Sequence, residues 1–479
     1  MFQKERIAVR RTKIICTIGP STRRADTIKR LAKAGMDMAR LNFSHGTHAD
    51  HEETIKLIRA ASEELGRPIG VLADLQGPKI RVGTFPGGAV ELRVGEPFVV
   101  TTRETPGGPG IASTSYKGLA EDLSPGAPIL LDDGRLRLQV EKIDGPDIHC
   151  QVIEGGLLKD HKGLNLPGAP LRIELPTPKD VEDLVFGVDQ GVDYFGVSFV
   201  RSVEDLRRVR NLIRERGAEI PLVPKIEKRE AVDHIHEIAD EADALMIARG
   251  DLGVELPPEE VPPIQKEIIG ICNRKGIPVI TATQMLESMI HDSSPTRAEA
   301  SDVANAVLDG SDAVMLSGET AVGEYPVEAT AMMHRIALLI ERKIEVRSKG
   351  WEANRRADIA TETAIGQAAC SAADVVAARA IVALTQSGAT AARISQFRPG
   401  KPILAFSPKT ETVNRMTLLW GVTPFLLTGR CQNESEAIEV LKKALRDDGF
   451  VRPGDRLIFT AGLPFGIPGN TNMLRIEEV

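Results

Sequence analysis

The clearest pattern along the chain is a short apolar run that ends in charged residues. Leu245–Ala248 is long enough for one buried strand and too short for a helix, and a charged segment containing Asp251 follows it. Upstream, Leu222–Ile226 repeats the pattern, with Lys225 near its end and Glu227 after it. As neighbouring strands, the two runs would bring both carboxylates and the lysine to one rim, a set that suits Mg²⁺ and a phosphoryl group or oxyanion. The alternative is a pair of ordinary salt bridges at loop mouths.

The same unit of apolar run, polar tip and helical pattern recurs through much of the chain. It predicts three strands in the first part and five in a later part, at residues 12–20, 36–46, 69–75, 194–199, 222–226, 245–248, 278–284 and 313–318. Eight strand–helix units favour a closed (β/α)₈ TIM barrel, whose active site lies at the carboxyl ends of the strands. A doubly wound open sheet is the alternative.

Two stretches depart from this pattern of strand and helix. The first, residues 79–171, contains short Val, Leu and Ile runs separated by Gly and Pro turns, with no useful helical period, and it predicts an inserted small β-barrel lid domain. Beyond about residue 345, alternating helical patterns and apolar runs predict a C-terminal open α/β domain. The expected domains are therefore the catalytic barrel at 1–78 and 172–345, the all-β lid at 79–171 and a regulatory domain at 346–479.

Composition excludes several classes of function. The chain has 479 residues, a formal net charge of -7 without a basic block, and only 4% aromatic residues, which argues against nucleic acid or an anionic membrane as a partner. Its five cysteines are scattered without a Cys-x-x-Cys pair, so neither a zinc site nor a disulfide framework is indicated. No membrane-length apolar run and no signal-peptide core appear, and we expect a cytoplasmic protein.

Two loops of the C-terminal part combine hydroxyl groups with glycine. One contains Thr385, Ser387, Gly388 and Thr390, and the other spans residues 462–472. Hydroxyl groups and glycine amides at the mouth of a helix can form an anion nest. Ordinary turns of a structural domain are the alternative.

The polar strand ends, taken together, resemble the pyruvate kinase family over nearly the whole chain. The segments that carry the resemblance are residues 40–46 (RLNFSHG), 73–81 (ADLQGPKIR), 225–227 (KIE), 248–253 (ARGDLG), 283–289 (TQMLESM) and 315–320 (MLSGET). The resemblance implies phosphoryl transfer from phosphoenolpyruvate to ADP, giving pyruvate and ATP in glycolysis, with Mg²⁺ or Mn²⁺ as the divalent ion.

The resemblance also implies roles for individual residues. Lys225 and Arg40 would contact the phosphoryl group, and Glu227 and Asp251 would hold the metal. The substrate carboxylate would bind the amides of Gly250 and Asp251 beside Thr283, and protonation of the enolate would involve Thr283, with Ser317 on the same wall. The nucleotide would contact Asn42, His45, Arg81 and Lys179, under a lid that closes through Asp132 and Asp133.

One departure from the family pattern concerns K⁺. Many members hold K⁺ with residues that match Asn42, Ser44, Asp74 and the carbonyl of Leu75, together with a nearby Glu, and Lys79 stands at the position of that Glu here. The sequence therefore resembles the K⁺-independent branch of the family, in which the ammonium group of Lys79 would supply the charge of the ion. An exposed loop lysine is the alternative.

The C-terminal loops resemble the allosteric phosphate site of the family. Ala389 stands where many members have an Arg, which argues against the usual sugar bisphosphate. Thr385, Ser387, Gly388 and Thr390 would still hold one phosphate of a sugar monophosphate or of AMP. The family is usually a homotetramer, which the sequence permits.

Two other readings are weighed against this one. A different Mg²⁺-enolate barrel enzyme, such as an aldolase or a phosphoenolpyruvate mutase, would share the carboxylates but would have no use for Lys179, Arg81 and the lid. A catalytically inactive phosphometabolite-binding protein would have lost Lys225 or a metal ligand, and this chain retains them.

Overall fold

A computed structural model describes residues 10–169, 171–343, 360–428, 433–447, 449–464 and 470–479. In chain order its strands are β1 Lys13–Thr17, β2 Met38–Asn42, β3 Gly70–Asp74, β4 Ala89–Leu92, β5 Pro97–Thr101, β6 Ile111–Ser113, β7 Pro128–Leu131, β8 Leu136–Asp144, β9 Asp147–Glu154, β10 Gly156–Lys159, β11 Leu164–Asn165, β12 Tyr194–Val197, β13 Leu222–Ile226, β14 Leu245–Ala248, β15 Val279–Ala282, β16 Ala313–Leu316, β17 Ala380–Leu384, β18 Ile403–Ser407, β19 Val422–Leu426, β20 Arg456–Ala461 and β21 Met473–Glu478.

The helices alternate with the strands outside the inserted region. They are α1 Ala25–Ala34, α2 His48–Glu64, α3 Leu119–Asp122, α4 Pro178–Asp189, α5 Val203–Glu215, α6 Arg229–Asp233, α7 Ile235–Glu241, α8 Arg249–Glu255, α9 Val261–Lys275, α10 Arg297–Asp309, α11 Gly318–Ala321, α12 Pro326–Lys343, α13 Thr361–Val375, α14 Ala389–Ser395, α15 Thr410–Arg415 and α16 Glu434–Asp447. Three of the longer helices, α2, α4 and α10, are each preceded by a threonine at the N-cap. In each, the threonine and an acidic residue three positions later form a capping box.

The predicted barrel is confirmed. Its eight strands are parallel and close in the order β1-β16-β15-β14-β13-β12-β3-β2. Strands such as β3, β13 and β14 are buried along their whole length, because helices cover the outside of the barrel and side chains fill its inside. We call the carboxyl ends of these strands the barrel mouth and their amino ends the barrel floor.

The inserted lid is also closed by its backbone pairing. Six strands pair in the order β11-β7-β8-β9-β5-β6, and β10 pairs with β4 in a separate sheet. The two edge strands are joined through residues 80–83, since the Val82 amide donates to the Lys162 carbonyl at 2.9 Å and the Gly83 amide donates to the Ser113 carbonyl at 2.9 Å. A separate cluster of buried apolar residues fills this domain. The sequence did not indicate the short strands β6, β10 and β11 or the one-turn helix α3.

The C-terminal domain has a five-stranded sheet in the order β19-β18-β17-β20-β21. Four strands are parallel and β21 pairs antiparallel with β20, so the sheet is mixed and its last strand was not expected from the sequence. The predicted loop 462–472 lies partly outside the described residues, as does Cys431.

The C-terminal domain also closes the barrel floor. Leu418, in the short 3₁₀ turn Met416–Leu418, is fully buried among inward-facing barrel residues such as Met38, Leu72 and Tyr194. Gly70 begins β3 beneath this turn, and a Cβ added there would lie 2.5 Å from the Thr417 hydroxyl. The approach is therefore too close for a side chain at position 70. Across the part of the chain that the structure describes, no helix has the length and apolarity to cross a bilayer.

We expect Leu418→Ala to lower the free energy of unfolding by about 2–5 kcal/mol, because it leaves a cavity that the rigid barrel cannot fill. The measurement is the urea unfolding midpoint followed by circular dichroism. The matched control is Leu339→Ala on the exposed side of α12, which should change the midpoint little because Leu339 is 54% exposed. Equal shifts for both variants would show that Leu418 does not close the core.

Candidate active site

A buried cluster of charges occupies the barrel mouth. Asp74, the last residue of β3, accepts a hydrogen bond from Arg40 Nε of β2 at 2.6 Å and lies 3.4 Å from Lys225 Nζ of β13. The Arg40 guanidinium also donates to the Thr17 hydroxyl of β1 at 3.0 Å. The side chains of Asp74, Arg40 and Lys225 are 1%, 10% and 10% exposed. Four of the eight barrel strands thus contribute to one charged cluster.

The strand between β3 and β13 leaves space for this cluster. Gly196 of β12 pairs with Asp74, and a Cβ added to it would lie 2.9 Å from an Asp74 carboxylate oxygen. Just beyond β12, the Ser198 hydroxyl accepts a hydrogen bond from Lys225 Nζ at 2.9 Å and donates to the Leu75 carbonyl at 2.6 Å. Ser198 therefore links the lysine of β13 to the chain that follows β3.

Glu227 completes the buried charges. One of its carboxylate oxygens lies 2.8 Å from Lys225 Nζ, and the other accepts the Phe199 amide at 2.7 Å. Burial raises the pKa of Glu227 to about 7, an effect that Lys225 opposes and that repulsion from Asp251 increases. Glu227 is thus a carboxyl group whose ionisation is opposed mainly by its burial.

The two cations and Asp74 stabilise one another's charges. Burial alone would lower the pKa of Lys225, but Asp74 and Glu227 raise it above its ordinary value. Burial likewise opposes ionisation of Asp74, yet Lys225 and Arg40 hold the pKa of Asp74 below its usual range. At neutral pH the lysine and Asp74 are therefore both charged.

Glu227 and Asp251 are the residues that could hold a metal ion. Asp251 lies in the first turn of α8, close enough to Glu227 to perturb it electrostatically. Within the described ranges, no group of three or more His, Cys, Asp or Glu side chains could hold a metal by itself. Two hard carboxylates fit Mg²⁺, which usually takes one or two carboxylates and completes its shell with water and substrate oxygens. A bound cation would also offset the cost of burying Glu227 in its ionised form.

Thr283 follows β15 in an unusual backbone conformation. Its φ is 67°, in the left-handed region that a β-branched residue rarely adopts. Its hydroxyl accepts the Gly250 amide at 2.7 Å and donates to the Ala282 carbonyl at 2.6 Å. One of the two amides assigned to a substrate carboxylate is thus bonded to Thr283 in this structure.

Ser317 directly precedes α11, after the neighbouring strand β16. Its amide donates to Glu319 at 2.7 Å, and its hydroxyl is a buried side-chain oxygen for which no hydrogen-bond partner is found among the described residues. Glu319 is fully buried and also accepts the Leu286 amide at 3.0 Å. It therefore ties the segment after β15 to the segment after β16.

The residues assigned to the nucleotide lie outside the buried cluster. His45 is exposed at the surface, but partial burial of its ring, together with the positive charges of Lys79 and Arg81, lowers its pKa below the usual value. Arg81 also donates to the His161 carbonyl of the lid at 3.0 Å. These side chains form an exposed basic surface between the barrel and the lid, suited to phosphate groups.

Lys179 lies at the start of α4. Its ammonium group donates to the Phe43 carbonyl at 2.9 Å and to Asp183 at 2.5 Å. Asp183 is buried and also bonds to His48 at 2.7 Å. Neither Asp183 nor His48 was predicted, and the i,i+4 spacing of Lys179 and Asp183 on a helix was the signal that could have found the carboxylate.

The remaining candidate positions lie further from the cluster. In the lid, Asp132 pairs with Lys162 at 2.7 Å, and both Asp132 and Asp133 have positive φ values in the turn that ends at Gly134. A Cβ at Gly134 would lie 3.8 Å from a methyl group of Val254, so this turn approaches α8 of the barrel.

The positions assigned to K⁺ have internal partners. The Asn42 side chain accepts the Ser44 amide at 3.1 Å, the Leu75 carbonyl accepts Ser198, and Asp74 is paired with Arg40 and Lys225. Lys79 is exposed.

The C-terminal loops meet each other. The Thr390 hydroxyl lies 2.7 Å from the Thr471 hydroxyl, and the Thr385 hydroxyl accepts the Gly388 amide at 2.9 Å. Ser387 is exposed beside them. Two loops that are far apart in the sequence therefore meet through the buried hydroxyl groups of Thr390 and Thr471.

Comparison with known proteins gives consistent matches over almost the whole chain. Residues 9–330 match the family model of the pyruvate kinase barrel domain, and residues 363–477 match that of the pyruvate kinase alpha/beta domain. The chain is 46% identical over 474 residues to pyruvate kinase 2 of Synechocystis sp., covering 98% of this chain and 79% of that protein. It is 46% identical to the pyruvate kinase of Bacillus licheniformis and 44% identical to that of Sporosarcina psychrophila, each over 477 residues, covering 98% of this chain and 81% of each relative.

Because Asp74 neutralises two buried cations, we expect Asp74→Asn to lower the free energy of unfolding by about 3–5 kcal/mol, the usual effect of removing one partner from a buried ion pair. The measurement is the urea unfolding midpoint at neutral pH. The control is Glu52→Gln, which removes an exposed i,i+4 pair with Lys56 and should cost less than about 1 kcal/mol. An Asp74 variant as stable as the control would contradict the charge balance described above.

Proposed function

The chain belongs to the pyruvate kinase family and is a phosphotransferase that forms pyruvate and ATP from phosphoenolpyruvate and ADP, and from this premise we propose how its own residues carry out the reaction. The observation that carries the proposal is the buried cluster in which Lys225 lies between Asp74 and Glu227. A lysine held charged and immobile at the barrel mouth is prepared to meet negative charge as it moves between substrates.

Phosphoryl transfer breaks the bond between the enol oxygen of phosphoenolpyruvate and phosphorus, and forms a bond from phosphorus to an oxygen of the ADP β-phosphate. In the transition state, charge is spread over the three equatorial oxygens of the moving group. We assign Lys225 to these oxygens and Arg40 to the phosphoryl group as a donor pair. Asp74 and Ser198 hold the two cations in place, as their hydrogen bonds and short contacts indicate.

The family depends on a divalent metal, and we assign Mg²⁺ or Mn²⁺ to Glu227 and Asp251. A divalent metal held by these two carboxylates would supply positive charge where negative charge develops on the substrate. The chain holds both carboxylates in place: the Phe199 amide fixes one oxygen of Glu227, and Asp251 is fixed by its position in the first turn of α8.

For the second half of the reaction we assign Gly250, Asp251 and Thr283 to the substrate carboxylate and the enolate. The enolate left after transfer takes a proton at carbon and becomes pyruvate. Thr283, whose hydroxyl adjoins the Gly250 amide, is our candidate for the proton route through water, together with the buried hydroxyl of Ser317, which follows the neighbouring strand β16.

We assign the nucleotide to the basic surface of His45, Arg81 and Lys179, together with Asn42. The lid approaches the barrel through the turn at Asp132 and Asp133, and its closure would exclude water from a reaction that hydrolysis would waste. The effector proposal rests on the loop of Thr385, Ser387, Gly388 and Thr390, in which Ser387 is exposed, and this loop would hold one phosphate of a sugar monophosphate or AMP.

Two further properties are proposed for the whole protein. A homotetramer is what the family usually forms. A cytoplasmic location agrees with the four described cysteines, which are all unpaired and buried.

The first test is pyruvate release from phosphoenolpyruvate, ADP and Mg²⁺ in buffer free of K⁺ and NH₄⁺. We expect strong activity, and we expect Lys225→Met to lower kcat by about 10³-fold or more, because it removes a charge that neutralises the transferring group. Lys56→Met, at an exposed pair on α2, is the control and should leave kcat unchanged. Wild-type protein that binds phosphoenolpyruvate without releasing pyruvate would favour an inactive binding protein instead.

The second test concerns Lys79. We expect little activation of the wild type by K⁺, and we expect Lys79→Glu to be active only when K⁺ is added, because the carboxylate would need the ion to balance its charge. Lys79→Ala separates loss of the ammonium group from gain of a carboxylate. A Lys79→Glu variant equally active with and without K⁺ would refute this role.

A further inference from the structure

Arg249 is the first residue of α8, directly after β14, and its guanidinium group makes hydrogen bonds on two sides. Its side chain is 10% exposed, and two of its nitrogens bind the two carboxylate oxygens of Asp302 on α10, each at 2.7 Å. A contact of 3.3 Å to Gln265 of α9 adds to this fork. The guanidinium plane is therefore fixed from the side of the outer helices.

The adjacent edge of the guanidinium, formed by Nε and Nη2, holds the segment that contains Thr283, and its Nη2 is shared with Asp302. One nitrogen donates to the Thr283 carbonyl at 2.7 Å, and Nε donates to the Ala282 carbonyl at 3.3 Å. The backbone at this point is in the left-handed region, with φ 67° at Thr283 and 53° at Gln284. Such a conformation persists only where surrounding contacts over-determine it.

We propose that Arg249 is a positioning residue, which holds the strained backbone of Thr283 so that the threonine hydroxyl stays beside the Gly250 amide. Three contacts meet on this segment: the two carbonyl bonds from Arg249 and the hydrogen bond from the Gly250 amide to the Thr283 hydroxyl. Arg249 precedes Gly250 in the chain, so the same turn fixes both partners of that bond. The proposal rests on the role assigned above to Thr283.

A lysine cannot replace Arg249 in this role. The guanidinium uses one edge for Asp302 and another for the two carbonyls, whereas an ammonium group is a single point charge. In Arg249→Lys the charge remains but the fork is lost, and Thr283 can relax toward an ordinary conformation. A displacement of about 1 Å at a reacting group can cost on the order of 10²-fold in rate.

The test is a double-mutant cycle between Arg249→Lys and Thr283→Ala. We expect Arg249→Lys to lower kcat for pyruvate formation by about 10²-fold in the wild type, and to lower it less than about twofold further in Thr283→Ala. The exchange of pyruvate methyl protons with D₂O, followed by NMR in the presence of ATP and Mg²⁺, should fall in parallel, because exchange runs the proton-transfer step backward. The KM for ADP should stay near its wild-type value.

Two further variants guard against a general loss of folding. Asp302→Asn weakens the fork without removing the arginine, and it should give a smaller fall in kcat that also disappears in the Thr283→Ala background. Arg398→Lys alters a comparable arginine at the barrel floor, bonded to Asn273, Gly310 and Asp312, and its effect should be the same in both backgrounds.

The outcomes separate this proposal from the assigned function. A fall by the same factor in both backgrounds, or a Thr283→Ala variant with wild-type rates of pyruvate formation and proton exchange, would overturn the role of Arg249. Absence of pyruvate from the wild-type protein would instead overturn the assigned reaction.

Discussion

The structure depends on the burial of two cations, Arg40 and Lys225, at one end of a barrel. A charge taken out of water must be paired, and here the pairing crosses neighbouring strands: Arg40 on β2, Asp74 on β3, Ser198 beyond β12 and Lys225 on β13. These strands are adjacent in space although the lid separates two of them from the others in sequence. The parallel order of the barrel strands brings them together, so the same contacts fix the fold and the charged cluster. Gly196 is required at the centre because a side chain there would occupy the space of the Asp74 carboxylate.

The opposite end of the barrel is held by the C-terminal domain. Leu418 fills the floor, Lys13 Nζ donates to the Val422 carbonyl at 2.6 Å, and Arg398 pairs with Asp312 at 2.9 Å. Burial lowers the pKa of Lys13 to about 8, although Asp37 opposes the change. Strand β3 begins at Gly70, which packs against the turn at Thr417, and ends at Asp74 in the charged cluster. The five residues of β3 therefore connect the floor of the barrel to its mouth.

The sequence predicted the parts that repeat. Eight apolar runs with polar ends are a periodic signal, and the closed parallel barrel confirmed the count and order of its strands. It did not predict β21, the short lid strands or the place of Leu418, because these depend on contacts between distant segments and not on local periodicity. The same holds for Ser198 and Arg249. Each is a single polar residue whose contacts come from segments that meet only in the folded protein. No spacing in the sequence predicts those contacts.

The position of the lid in the chain follows from the same geometry. The chain leaves the barrel after Asp74 and returns at α4, and one buried carboxylate joins the two connections. Asp180 accepts the Gly77 amide on the outgoing side at 2.9 Å and the Thr177 amide on the returning side at 2.9 Å. Lys179, beside it, donates to the Phe43 carbonyl. Because the lid is attached at the edge of the charged cluster, any movement of the lid would act first on the chain next to Asp74 and Ser198, the residues to which we assign the positioning of Arg40 and Lys225.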